Sequence, residues 1–154
     1  MMIGNSCVRW VMACLGTLLV ALPGLSSAAC VVPNLKGTWY IMGVSGNTQY
    51  GHMDETVRCK ILVSSTGAIP ATGSSCYVRD YTGLKTVRIP SGGLSVSTAC
   101  LVTGWLRMCP ADAGICHTFR VQHAQMARDW NTFTLVGYSL SNPDIVSFFE
   151  AVKQ

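Results

Sequence analysis

The chain has 154 residues and a formal net charge of +4, and only 12 % of its residues are charged, about half the usual share for a globular protein. Its cations are scattered from Lys36 to Lys153 without forming a dense run. No nucleic-acid partner and no anionic-membrane footprint are therefore expected.

Residues 1–29 read as a secretory signal. Arg9 supplies the positive end, Trp10 to Leu22 the apolar run, Pro23-Gly24 its break, and Ser27-Ala28-Ala29 the small residues of a cleavage site. The run is shorter than the roughly 20 residues that span a bilayer. The mature protein is thus expected to lack an integral membrane segment, to be secreted or periplasmic, and to form one domain over residues 30–154. The alternative is a chain lipid-anchored at Cys30. Against it, Ser27-Ala28-Ala29 lacks the large aliphatic residue that usually stands three positions before a lipidated cysteine. Of the eight cysteines, Cys7 and Cys14 lie in the signal, which leaves Cys30, Cys59, Cys76, Cys100, Cys109 and Cys116. An even number in an exported chain implies disulfides rather than free thiols, and lipidation of Cys30 would strand one of them.

After a turn at Pro33-Asn34, Gly37 to Val44 forms a first strand with Trp39 and Ile41 on one face, Tyr40 and Met42 on the other. Ser45 to Asp54 is polar and glycine-containing and reads as a loop. Val57, Cys59, Ile61 and Val63 mark one face of a second strand. Thr66-Gly67 turns the chain into a third, Ala68 to Val78, where Pro70 signals a bulge or an edge. A short strand at Leu84 to Ile89 is closed by Pro90-Ser91-Gly92-Gly93, a tight-hairpin sequence. A long strand from Leu94 runs towards Met108, and Cys109 to Gly114 is a loop. Ile115 to Met126, Thr132 to Tyr138 and Ile145 to Val152 complete the set, with an exposed tryptophan, Trp130, in the turn between the first two of these. About eight short strands at near-regular spacing predict an all-β, antiparallel up-and-down β-barrel, with a β-sandwich as the alternative.

Many pairings of six cysteines are possible. The hairpin reading favours Cys59 with Cys76, equidistant from the Thr66-Gly67 turn, Cys109 with Cys116 across one loop, and by remainder Cys30 with Cys100.

Catalytic constellations are thin. There is no Cys-x-x-Cys or His-x-x-x-His spacing, so no metal is expected. Cys116-His117 fails as a nucleophilic pair because a disulfide cysteine is no thiolate. Asp54-Glu55 lies at a loop-to-strand junction, where sequence neighbours do not face each other as an acid/base pair. Glu150 shares a face with Phe148 and Val152, where an ion pair with an arginine is the expected fate of its carboxylate. No catalytic residue, no cofactor and no enzymatic activity are expected.

Leu35-Lys36-Gly37-Thr38-Trp39-Tyr40 resembles the first-strand motif of the calycin group, the lipocalins and avidins, and the hairpin from Ile61 to Gly73 is similar to the second and third avidin strands. The resemblance covers about a quarter of the chain. It implies a barrel closed at one end by Trp39 packing across its base next to Gly37. Two functions from different classes follow. One is a non-catalytic exported barrel holding a small apolar ligand inside, with Tyr40, Trp105, Trp130 and Glu150 as candidate ligand or partner contacts. The other is a disulfide-stapled interaction or inhibitor-like module acting through the Cys109–Cys116 loop and the Trp130 turn.

Overall fold

The computed structural model describes residues 29–112 and 114–154. The signal expectation falls, apart from Ala29, outside the described residues. A 3-10 turn at Val32–Leu35 leads into nine strands: β1 Gly37–Asn47, β2 His52–Val63, β3 Ala68–Ile69, β4 Ser75–Asp80, β5 Gly83–Val96, β6 Val102–Pro110, β7 His117–Met126, β8 Thr132–Ser139 and β9 Asn142–Lys153. All pairings are antiparallel. Around the wall the order is β1-β2-β4-β5-β6-β7-β8-β9, and β9 returns to pair with β1. The expected up-and-down barrel of eight strands is therefore formed, and the sandwich alternative is excluded because one sheet closes on itself. Closure removes the unpaired edges an open sheet would expose. The short β3 lies outside the ring, paired to Gly92 and Gly93 of β5.

Several boundaries differ from the sequence reading. The segment 45–54 is mostly strand, with a bulge between Ser45 and Gly46. Pro90 to Gly93 makes no hairpin: β5 runs straight through it, with an irregularity between Arg88 and Ser91 against β6. Pro90 stands where the ladder is interrupted, a position that needs no amide donor. Gly92 leaves the room that the Ile69 side chain occupies. The hairpin falls instead at Ser97–Leu101, closed by Cys100 N–H donating to Ser97 C=O at 2.9 Å, with Cys100 at φ 63°. That turn splits the long strand expected from Leu94 to Met108. The expected third strand likewise divides into β3 and β4.

Alternation sends one residue in two inwards, and the inward sets fill one end of the barrel. Trp39 is fully buried there. Its indole N–H donates to the Leu35 carbonyl at 2.7 Å, and its ring packs against Phe133 at 4.6 Å between centroids. Ile61, Val63, Ile89, Val96, Val102 and Met126 complete this plug. Lys153 lies 5.3 Å from the centroid of the Trp39 ring and donates from Nζ to the Asn34 carbonyl at 2.7 Å. Burial lowers its pKa, and Asp129 partly offsets that. Gly37, at φ +142°, stands where any side chain would press on Lys153.

Three disulfides are present: Cys30–Cys100, Cys59–Cys76 and Cys109–Cys116. The last two are the pairings the hairpin geometry favours, and the first is the one left by remainder. Cys59 and Cys76 stand directly opposite each other on β2 and β4.

Candidate functional site

The end of the barrel opposite Trp39 is hollow. A cavity of about 850 Å³ opens between the turns that join β1 to β2, β4 to β5, β6 to β7 and β8 to β9. The strand register sets its layers. On β1 the inward positions above Trp39 are Ile41, Gly43 and Ser45. Gly43 pairs with Val57 on β2 and Phe149 on β9, and Ser45 pairs with Glu55 and Ser147 on the same two strands. An aromatic and aliphatic layer therefore lies beneath a polar one.

The aromatic layer depends on two glycines. Phe149 packs over Gly43, and Phe119 packs over Gly137 on β8. A Cβ at either glycine would collide with the ring above it and with the neighbouring strand's backbone. The two rings meet edge to face at 5.7 Å, an arrangement their quadrupoles favour. Val57, Val78, Val87 and Met108 join them around the lower cavity. Gly137→Val, which adds a branched Cβ under the Phe119 ring, is expected to destabilise the barrel by about 3 kcal/mol. Urea unfolding reads this directly, and a change below about 0.5 kcal/mol would mean that the ring relocates freely.

In the polar layer the Ser147 hydroxyl donates to Ser45 Oγ at 3.0 Å, and both serines are buried. This leaves the Ser45 proton free to point at the neighbouring Glu55. Desolvation raises the Glu55 pKa above its ordinary 4.5, and Asp54 and Asp80 push it the same way. Ser45 and Lys85 oppose the rise. Lys85, the one lysine or arginine lining the cavity among the described residues, is already engaged, with its Nζ 2.6 Å from Asp80 Oδ2. The other oxygen of Asp80 accepts from the Thr82 hydroxyl at 2.6 Å and the Thr82 amide at 2.8 Å. These contacts, led by Lys85, hold the Asp80 carboxyl well below the usual range, and the same pairing raises Lys85. Across the mouth, His117 Nδ1 and Ser141 Oγ are 2.6 Å apart, and Ser141 lies 2.9 Å from Ser139 Oγ. The stapled loop contributes Pro110, Ala111, Asp112 and Gly114 to the rim.

The residues singled out as contacts lie elsewhere. Tyr40 and Trp105 stand exposed on the outer wall. Glu150 is exposed there too, beside Met42 and Phe148 along a shallow outer groove. Its cross-strand neighbours are Met42 and Thr134, so register supplies no arginine. Among the described residues it forms no salt bridge. Trp130 is half-buried rather than exposed. Its backbone, at φ 59°, folds the indole against the plug at the closed end, where Nε1 is buried without a hydrogen-bond partner. None of the four lines the cavity. The Trp130 turn and the Cys109–Cys116 loop occupy opposite ends of the barrel.

Sequence reasoning weighed Glu55 only as half of an acid/base pair with Asp54 at a loop-to-strand junction, and so did not carry it into the interior. The signal was present: the inward phase of Ile61, Cys59 and Val57, carried back two residues, lands on Glu55.

Among the described residues there is no group of three or more His, Cys, Asp and Glu side chains that would hold a metal ion, and no helix long and apolar enough to cross a membrane. Intrachain disulfides are compatible with an extracellular or periplasmic location. Comparison with known proteins finds no family model that matches, no similar curated protein and no similar solved structure, so the chemistry of the cavity carries the functional reading.

Proposed function

We propose that this protein is an exported, non-catalytic binding barrel of calycin type that holds a small, largely apolar molecule in its open end. The observation that carries the reading is the distribution of the interior. The barrel's own side chains fill only the Trp39 end, and the other end keeps a cavity of about 850 Å³, a volume typical of small-molecule sites. An apolar floor under a polar rim suits a ligand that enters body first. The interaction-module reading is weaker, because its two intended contacts face opposite ends of the barrel.

Titration with phenylnaphthylamine, an uncharged fluorophore that brightens in apolar surroundings, tests the proposal. Saturable enhancement is expected, lost in Val78→Trp, where the indole fills the cavity, and kept in Met42→Lys on the outer wall. Circular dichroism establishes that both variants are folded. Enhancement that survives Val78→Trp but disappears with Met42→Lys would move the site to the outer wall and overturn the proposal.

A further inference from the structure

We infer that the cavity selects a ligand carrying one protonated amine on an apolar body, with the ammonium group seated against Glu55 and the body resting on Phe119 and Phe149. This rests on the binding-barrel reading above and narrows it to a chemical class.

Three independent observations converge on it. The first is sign. The protein is net positive, with 11 lysines and arginines against 7 acids, yet the charged residues lining its cavity are Glu55, Lys85 and Asp112. Among the described residues no arginine lines the cavity, and Lys85 is paired by Asp80 at 2.6 Å. A cation entering the mouth therefore meets Glu55 and Asp112 without a free opposing charge.

The second is orientation. Ser147 donates to Ser45, which leaves the Ser45 hydroxyl proton available to Glu55, its cross-strand partner on β2. A carboxylate moved away from water without a cation of its own is costly, and an incoming ammonium supplies the missing partner. The third is the floor. The Phe119 and Phe149 rings offer apolar contact below the carboxylate, and their π-faces attract a cation rather than an anion. A carboxylate-bearing ligand of the same shape would meet repulsion at Glu55 and no compensation beneath it.

Protonation links to binding with a definite sign. The Glu55 pKa lies above 4.5 in the empty barrel, and an ammonium favours the ionised form. Amine affinity therefore falls on acidification, at higher pH than for an ordinary glutamate. Ser45 on β1, Lys85 on β5, Asp112 in the stapled loop and His117 on β7 share the cavity with Glu55, and Asp54, its neighbour on β2, and Asp80 on β4 act on it by charge. His117 lines the same cavity, so the pH effect must be compared between the parent protein and a Glu55 variant.

The test is calorimetric titration of the full chain, disulfides intact, with phenylbutylamine, phenylbutanol and phenylbutyrate, which share one apolar body. The amine is expected to bind at least about tenfold more tightly than the alcohol, as a charge-assisted hydrogen bond would give, and the acid more weakly than either. In Glu55→Gln the amine should fall to the affinity of the alcohol, whose own binding, unchanged, shows that the cavity is intact. The acid-side loss of amine affinity should shrink in the same variant. Equal binding of all three by the parent would overturn the amine inference and leave the binding barrel standing. Binding of none, with phenylnaphthylamine also silent, would remove both.

Discussion

Trp39→Ala is expected to cost about 3–5 kcal/mol of stability, the range for removing a large buried aromatic. Trp39 is 0 % exposed, and three things are lost together: the packing on Phe133, the hydrogen bond to the Leu35 carbonyl and the platform beneath Lys153. The carbonyl then remains buried without its donor, which adds to the cost. A domain of this size has about 5–15 kcal/mol to lose, so the variant should be marginal at 37 °C. Trp39→Phe keeps most of the packing and forfeits the donor, for an expected loss of about 1–3 kcal/mol. Urea unfolding of both variants measures the difference. If alanine costs less than about 1 kcal/mol, Trp39 does not close the barrel.

The second large effect concerns the disulfides, and it is a rank order. Cys30–Cys100 spans 70 residues, Cys59–Cys76 spans 17 and Cys109–Cys116 spans 7. If each acts mainly by restricting the unfolded chain, replacing both cysteines by serine costs about 4, 3 and 2 kcal/mol in that order. The longest bridge also ties the turn at Cys100 to the segment that covers Trp39. Thermal unfolding of the three double variants checks the order. A Cys109/Cys116 variant that loses as much as the Cys30/Cys100 variant would show that local strain, rather than chain entropy, sets the contribution.

Most of the fold was legible because its signal is local. Period-two alternation at Trp39 and Ile41 and at Val57 to Val63 identifies inward faces without reference to any other strand. Cys59 and Cys76 fall opposite each other once their hairpin is drawn. Glycine-rich stretches misled. Pro90 to Gly93 has the composition of a turn, yet its glycines serve close approach: Ile69 packs into the space beside Gly92. The same ambiguity hid the cavity floor, since Gly43 and Gly137 reveal their purpose only when Phe149 and Phe119, from other strands, are seen above them. Trp130 read as exposed because a polar turn surrounds it in sequence, and a positive φ that folds the ring inwards leaves no mark on composition. Glu55 was legible in phase, but at the edge of a stretch read as loop it was weighed only as a partner for Asp54. Whether its carboxylate had a cation of its own depended on the Asp80–Lys85 pairing between β4 and β5.

The closure of β9 onto β1 separates two events in the life of the chain. None of the six paired cysteines belongs to β1, β8 or β9. As the polypeptide is made from its N-terminus, every disulfide partner emerges before the strand that completes the wall. Oxidation can therefore finish on a curved, still open sheet, with β1 waiting as a free edge for a partner roughly a hundred residues further along, a pairing that loop-closure entropy makes slow. The Ser45–Ser147 contact that completes the polar layer, and the seat of Phe149 on Gly43, are made by that final pairing. The cross-links do not need the last strand, and the cavity does.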